Sequence, residues 1–403
     1  MWGNKRRTLS LILKILAGIL AVVLAFGIYR AYRNQLAKDA AEKHEYSAVY
    51  QEHTQNEVEA KQAYNDLIDE EFEKDAECVR VNLPGIVCWG DTLTVGTTGG
   101  VSYPSVLQDL INSNICSVYN FRAQMEKLGD FSSSRVVWSD YKVMIPVVNM
   151  GVYGESAPTI AGRSGAMPYL LYRSVTIPED CTAVQVTLTC AVGQPVNPLE
   201  NGESGINDVS IAGVTGKLSR VRAGLYMFTR NEPGDPVLAE AGTEVITACS
   251  DMYTDFIPVI LIGTYGGYTS TEDYIEMVRS MIGHHHTETG RFLIVGPFTS
   301  SASNTGSRFT ALEQALQQAF GDNFINARKY FCSDAMSDAK LSYTKADQQE
   351  VSRGTVPGSL RNPLAPEELT ATGYELLGKL IYTRMDQLGW FDEVREELGI
   401  NAQ

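Results

Sequence analysis

Short apolar runs that alternate with helical patterns constrain the fold of this chain most. The runs are typical of buried parallel strands and lie at Ile86–Trp89, Val143–Val148, Phe256–Ile262 and Phe292–Val295. Helical patterns lie between or after them at Tyr103–Ile111, Thr271–Ile282, Phe309–Phe320 and Ala371–Leu388. Alternating strands and helices predict a doubly wound α/β sheet, in which ligands bind beyond the carboxyl ends of the strands.

The stretch 168–250 breaks this alternation. Apolar residues at every second position of 184–192 predict one half-buried antiparallel strand. Turn dipeptides at Asn201-Gly202 and Pro233-Gly234 and further strand candidates follow it. We therefore predict an all-β module inserted between two parts of the α/β domain, 79–167 and 251–403. The sequence leaves open whether the module binds a ligand, packs on the domain or covers its site.

The N-terminus carries a long apolar run. Basic residues 5–7 precede the run 9–29, and roughly 20 residues span a bilayer core. A cleaved signal peptide ending near 23–25 is the alternative. We predict an uncleaved transmembrane signal anchor at 1–32 and a solvated helical stalk at 33–78, because the stalk is rich in good helix formers. The protein would then be a single-pass cell-membrane protein with most of the chain extracellular.

Charge and metal-ligating residues narrow the range of partners. The formal net charge of −15 disfavours nucleic acid, whose phosphates need clustered Lys and Arg. The seven cysteines show neither a CxxC pair nor metal-ligand spacing. The triplet His284–His286 is interpreted as a solvated helix end rather than a metal site. We expect no metal and no cofactor.

Four motifs carry the chemistry. They are Gly90-Asp91-Thr92-Leu93-Thr94, Asn149–Ser156, Ile262–Gly267 and Glu368–Tyr374. Each lies after a predicted strand or before a predicted helix. In this order, over about 79–392, the set resembles the sequence blocks of the SGNH, or GDSL, hydrolase family. The resemblance implies a flavodoxin-like three-layer α/β/α fold and, in active members, hydrolysis of acyl esters on lipids or acetylated sugars.

The resemblance assigns roles to five positions. Thr92 stands where the family has its serine nucleophile, and Gly154 aligns with a glycine that donates to the oxyanion. Tyr265 takes the place of the asparagine donor. Glu368 and Ala365 take the places of the histidine and the aspartate.

These replacements remove the proton-transfer chemistry. A hydroxyl nucleophile needs a base, and a carboxylate with an ordinary pKa of about 4.3 suits that task poorly. Loss of the serine or histidine alone costs about a millionfold in rate. The sequence therefore predicts a degenerate family member, a pseudoenzyme, with Thr92, Gly154, Tyr265 and Glu368 as its site.

Three hypotheses follow. The first is a membrane-anchored surface module that binds a glycan or an acylated small ligand, with Asp91, Glu155 and Ser156 as ligand contacts. Asp91 could instead brace its turn, and the other two could cap the next helix. The second is an active acyl-ester hydrolase or acetylesterase in which Thr92 is the nucleophile and an unusual base, such as Glu368, takes its proton. The third is a structural envelope protein that forms homo-oligomers through its stalk.

Overall fold

The computed structural model describes residues 59–67, 83–97, 100–116, 145–191, 193–202, 205–286, 290–298, 307–365 and 367–397. All of them belong to the second of the two units into which the chain divides, Thr54–Gln403. The predicted signal anchor and most of the predicted stalk lie outside the described residues. Within the described residues, no helix has the length and apolar character needed to cross a membrane.

The secondary structure follows the chain as a mixture of strands and helices. The strands are β1 (Ile86–Gly90), β2 (Val147–Gly151), β3 (Tyr169–Leu171), β4 (Val175–Ile177), β5 (Val184–Val186), β6 (Leu188–Thr189), β7 (Val209–Ile211), β8 (Val214–Arg222), β9 (Leu225–Arg230), β10 (Val237–Ala239), β11 (Glu244–Ile246), β12 (Ile257–Leu261), β13 (Leu293–Val295) and β14 (Phe324–Ile325). The helices are α1 (59–67), α2 (Thr92–Val95), α3 (Tyr103–Ile111), α4 (Ala157–Arg163), α5 (Thr271–His284), α6 (Ser307–Phe320), α7 (Ala327–Ser333), α8 (Ala335–Asp338), α9 (Lys345–Ser352), α10 (Ala371–Gln387) and α11 (Asp392–Glu397).

A parallel sheet organises the α/β part. Its strands lie in the order β14-β13-β12-β1-β2, and every neighbouring pair is parallel. Numbered along the chain within this sheet alone, the order is 2-1-3-4-5, which is the flavodoxin-like arrangement. Buried apolar side chains form a separate core on each face. The predicted α/β class is confirmed.

The second strand has different boundaries from those predicted, because it contains residues that are not apolar. The second strand was expected at Val143–Val148, whereas β2 runs from Val147 to Gly151. Asn149 and Gly151 belong to it because their backbones pair with Cys88 and Gly90 of β1, a contact that hydrophobicity does not encode. Strand β14 is too short to produce an apolar run.

The inserted strands β3 to β11 form a seven-stranded antiparallel sheet and a two-stranded ladder around their own core. The single strand expected at 184–192 is in fact two strands. β5 pairs with β9, and β6 pairs with β3. These two strands are the opposite ends of the seven-stranded order, so the sheet curls until its edges meet near Thr187. Apolar and polar residues keep alternating through this bend because both strands turn their apolar side chains toward the same core.

Two facing glycines let the first helical turn pack onto the parallel sheet. Gly90 of β1 lies opposite Gly151 of β2. A Cβ on Gly90 would come within 2.0 Å of Thr94 Oγ1, and one on Gly151 would come within 2.6 Å of the Val95 nitrogen. Helix α2 therefore contacts the strand backbones directly, where a larger residue would displace it.

The histidine triplet is only partly solvated, so the prediction of a solvated helix end is wrong for His285. Its ring is buried and accepts a hydrogen bond from Trp89 Nε1 at Nε2 (3.1 Å). Its Nδ1 lies 3.1 Å from the Tyr253 carbonyl oxygen, which only an Nδ1–H can satisfy. Burial, with a smaller contribution from His284, lowers the pKa of His285 to about 4. The neutral ring thus ties β1 to the segment that returns from the inserted strands.

Gly90→Ala should lower the free energy of unfolding by roughly 3 kcal/mol, because the new methyl would clash with α2. Gly283→Ala is the matched control. A Cβ added at Gly283 would meet no atom within 4 Å, and a helical alanine should add roughly 0.5–1 kcal/mol. Urea denaturation of both variants measures the difference. Equal effects would contradict the close packing of α2.

His285 should add stability as the pH rises from about 4 to 6.5. Its folded-state pKa of about 4 lies below the ordinary 6.5, so the unfolded chain binds more protons in that window and folding is favoured at its upper end. The wild type should gain on the order of 2 kcal/mol over His285→Gln across it. Urea melts at several pH values test this. The wild type should show no such pH-dependent gain over His286→Gln, because His286 is exposed.

Candidate functional site

Thr92 lies at the carboxyl end of β1, where the first turn of α2 begins. Its side chain is completely buried. Thr92 Oγ1 accepts a hydrogen bond from the Gly154 amide at 2.9 Å and shares one with Tyr265 Oη at 2.8 Å. The structure therefore brings together three of the five positions to which the resemblance assigns roles.

Asp91 braces the turn and does not contact the surface. Its Oδ1 accepts from the Leu93 amide at the start of α2. The carboxyl is fully buried, and burial raises its pKa to about 7 against the opposing effect of hydrogen bonds from Leu93 and Thr264. Its predicted contact with a ligand stays a prediction. The alternative role as a brace is the one that the geometry supports.

An ion pair shapes the loop that carries Gly154. Arg163 of α4 donates from Nη2 to Glu155 Oε2 at 2.8 Å and to the Met150 carbonyl oxygen at 2.8 Å. The Arg163 guanidinium also lies 5.2 Å from the Trp89 ring centroid. Both charged side chains are buried, so their ion pair orders the loop. The predicted contact of Glu155 with a ligand stays a prediction. Gly154 itself has a φ of +66°, a conformation that favours glycine.

Ser156 occupies the N-cap position of α4, but its hydroxyl does not bond to the helix backbone. Ser156 Oγ lies 3.0 Å from Thr159 Oγ1, and the residue is half-buried. Its predicted contact with a ligand stays a prediction.

Tyr265 reaches Thr92 from the loop that follows β12. Gly266 and Gly267 of this loop have positive φ values, and a Cβ on Gly267 would come within 2.5 Å of Pro158. The Gly266 carbonyl accepts from the Ala157 amide at 3.0 Å. The loop is thus packed against the start of α4. This packing holds the Tyr265 hydroxyl within hydrogen-bonding distance of Thr92 Oγ1.

Glu368 is hydrogen-bonded to Tyr153 and Asn362. Its Oε1 accepts from Tyr153 Oη at 2.7 Å, and its Oε2 accepts from Asn362 Nδ2 at 3.0 Å. The Thr92 hydroxyl is hydrogen-bonded to Tyr265 and Gly154 instead. The contact that an active Thr92–Glu368 pair requires is therefore not formed. Ala365 is buried, and its carbonyl accepts from the Glu368 amide.

Asn201 of the insertion reaches the site, although sequence reasoning identified it only as part of a turn. Asn201 Nδ2 donates to the Tyr153 carbonyl oxygen at 2.7 Å and would lie 3.4 Å from a Cβ on Gly154. A loop of the inserted segment thus contacts the loop that carries Gly154. No pattern in the sequence marks this contact, because it joins positions far apart in the chain.

Comparisons with known proteins give few similarities. No protein-family model matches the chain, and no curated protein matches it. Among solved structures, the chain is similar to a lipase/acylhydrolase from Enterococcus faecalis, with 11% identity and a TM-score of 0.35 over 76% of this chain and 97% of that one. It is also similar to a peptidoglycan O-acetylesterase, with 10% identity and a TM-score of 0.28 over 84% of this chain and 96% of that one.

Proposed function

We propose that this protein is a non-hydrolytic relative of the SGNH hydrolases that binds a glycan or an acylated small molecule at the site around Thr92. One observation carries the proposal. The Thr92 hydroxyl is fully buried, and its hydrogen bonds go to the Gly154 amide and the Tyr265 hydroxyl. Extracellular display on a membrane anchor is part of the proposal and rests on the apolar run 9–29 alone.

The geometry disfavours nucleophilic attack. The Gly154 N–H donates into a lone pair of Thr92 Oγ1, which makes the oxygen a weaker nucleophile. Neither bonding partner can remove the threonine proton at neutral pH, because an amide N–H has no free lone pair and a neutral phenol is a very weak base. Glu368, the carboxylate in the family's histidine position, is bonded to Tyr153 and Asn362. Acyl transfer through Thr92 therefore lacks its first step.

The rim of the site favours recognition of a polar ligand. It combines backbone, amide, hydroxyl and aromatic groups from three segments, all half-buried: Gly154, Ser156, Asn201, Tyr265, Gly266 and Gly267. Aromatic faces beside hydrogen-bonding groups suit a sugar ring or a short acyl group.

Full-length protein and its Thr92→Ala variant should hydrolyse 4-nitrophenyl acetate at the same background rate, because neither hydrogen-bonding partner of the threonine hydroxyl can act as its base. Initial rates across pH 6 to 9 would measure this. Turnover that disappears in Thr92→Ala would instead establish the threonine as a nucleophile and overturn the proposal.

A combined reversion tests whether the roles are correctly assigned. Thr92→Ser, Tyr265→Asn, Ala365→Asp and Glu368→His together restore the family's side chains, so ester hydrolysis should rise at least about 100-fold above background. The matched control carries Thr92→Ala with the same three other changes and should stay at background. An inactive but folded reversion variant would contradict the assignment of these positions.

Binding should be detectable by NMR. An acetylated chito-oligosaccharide added to isotopically labelled full-length protein should shift the Gly154 and Tyr265 amide signals in a saturable way. Its deacetylated counterpart separates recognition of the acetyl group from recognition of the sugar. Tyr265→Phe removes the hydroxyl and should weaken binding several-fold. Shifts that avoid these residues for both oligosaccharides would exclude glycan binding at this site.

A further inference from the structure

Strand β2 is an outer strand of the parallel sheet and, among the described strands of that sheet, pairs only with β1. The free edge of such a strand presents alternate backbone N–H and C=O groups that need partners. In this protein the partners come from the side chains of a helix, α1, which lies within the range predicted as a solvated stalk.

Three side chains of α1 bind the edge of β2. Asn65 Oδ1 accepts from the Asn149 amide at 3.0 Å, and Asn65 Nδ2 donates to the Asn149 carbonyl at 2.6 Å. Tyr64 Oη donates to the Val147 carbonyl at 3.0 Å, and Lys61 Nζ donates to the Gly151 carbonyl at 2.5 Å. Asn65 thus exchanges both a donor and an acceptor bond with one residue, as an adjacent antiparallel strand would.

The spacing explains why a helix can replace a strand here. Four helical residues advance about 6 Å, and two strand residues advance about 6.6 Å. Lys61 and Asn65, four residues apart, can therefore face Gly151 and Asn149, two residues apart. Lys61 and Asn65 are only 6% and 7% exposed, so these contacts belong to the interior of the domain.

The two strand residues that α1 contacts, Asn149 and Gly151, adjoin the turn that carries Thr92 and the loop that carries Gly154. The side chain of Asn149 donates to the Thr94 and Val95 carbonyls at 2.9 and 3.1 Å, at the end of the helical turn that begins with Thr92. Gly151 ends β2 and stands three residues before Gly154 in the chain. Burial, followed by the Arg163 charge, lowers the pKa of Lys61 to about 7 against the opposing effect of Glu155.

We infer that α1 is a positioning element of the site, in which Asn65 and Lys61 hold Asn149 and Gly151 and thereby set the distance between Thr92 Oγ1 and the Gly154 amide. The inference extends the proposed function, since the positioned groups are those that would meet the ligand. It also places α1, which lies within the range predicted as stalk, inside the functional domain. Displacement of α1 would loosen the site.

Hydrogen–deuterium exchange on the full-length protein tests the inference without a ligand. Asn65→Asp keeps the size of the side chain but replaces the donor to the Asn149 carbonyl with a carboxylate. We expect exchange in 147–156 and 92–97 to accelerate about tenfold, as the loss of one buried hydrogen bond allows. Exchange in β13 and in the inserted strands should not change. Lys61→Met should accelerate 151–156 more than 92–97, and Lys61→Arg should restore much of the protection.

Gln62→Leu is the matched control on the same helix, because Gln62 is exposed and its side chain bonds to Asp66 of α1 itself. It should leave all segments unchanged. Uniform acceleration across the sheet in Asn65→Asp would show a general stabilising role and overturn the inference, as would unchanged exchange in 147–156. The exchange pattern is independent of ligand, so failure of the glycan experiment would leave this result intact.

Discussion

The arrangement of the site depends on the direct contact between the turn 91–95 and the backbones of β1 and β2. Two facing glycines, Gly90 and Gly151, permit this contact because a Cβ on either one would overlap α2. Asp91 fixes the start of the turn and Asn149 fixes its end. The Thr92 hydroxyl therefore has one position, which lies beside the Gly154 amide. Any side chain added at the two glycines would move that hydroxyl before it affected the rest of the sheet.

Buried charge provides the second constraint. Arg163 and Glu155 are both withdrawn from water, and such a pair is compensated only when further hydrogen bonds satisfy the guanidinium. The Met150 carbonyl supplies one such bond and the face of Trp89 a cation–π contact, whereas Arg163 Nη1 is buried without a hydrogen-bond partner. Trp89 in turn donates to the neutral His285 ring. A continuous set of polar contacts thus connects the Gly154 loop, β1 and the end of α5, and it orders the loop more strictly than apolar packing would.

The sequence predicts the parallel sheet well because buried strands require continuous apolar runs, and β1, β12 and β13 have them. It predicts α3 and α10 for the related reason that a helix with one buried face keeps a regular period. It misses whatever depends on contacts between distant residues. Two examples are the contacts of the Asn65 side chain with the Asn149 backbone and of the Asn201 side chain with the Tyr153 backbone. Such contacts follow no period and become visible only once the chain is folded. The motifs singled out Thr92, Gly154 and Tyr265, which contact one another in the structure, but they could not reveal the hydrogen bonds of Glu368 to Tyr153 and Asn362.

The polar groups at the positions that the motifs align with catalytic residues are hydrogen-bonded within the protein. In a hydrolase, hydrogen-bond donors aimed at the oxyanion remain available for the transition state. Donors kept without a partner in the free enzyme lower the stability of its folded state. Here the Gly154 amide and the Tyr265 hydroxyl bond to Thr92, and Glu368 bonds to Tyr153 and Asn362. Each polar group that would otherwise act on a substrate thus has a partner within the protein. A ligand must compete with these internal bonds or bind beside them, which favours selective recognition at the rim over chemistry at the centre.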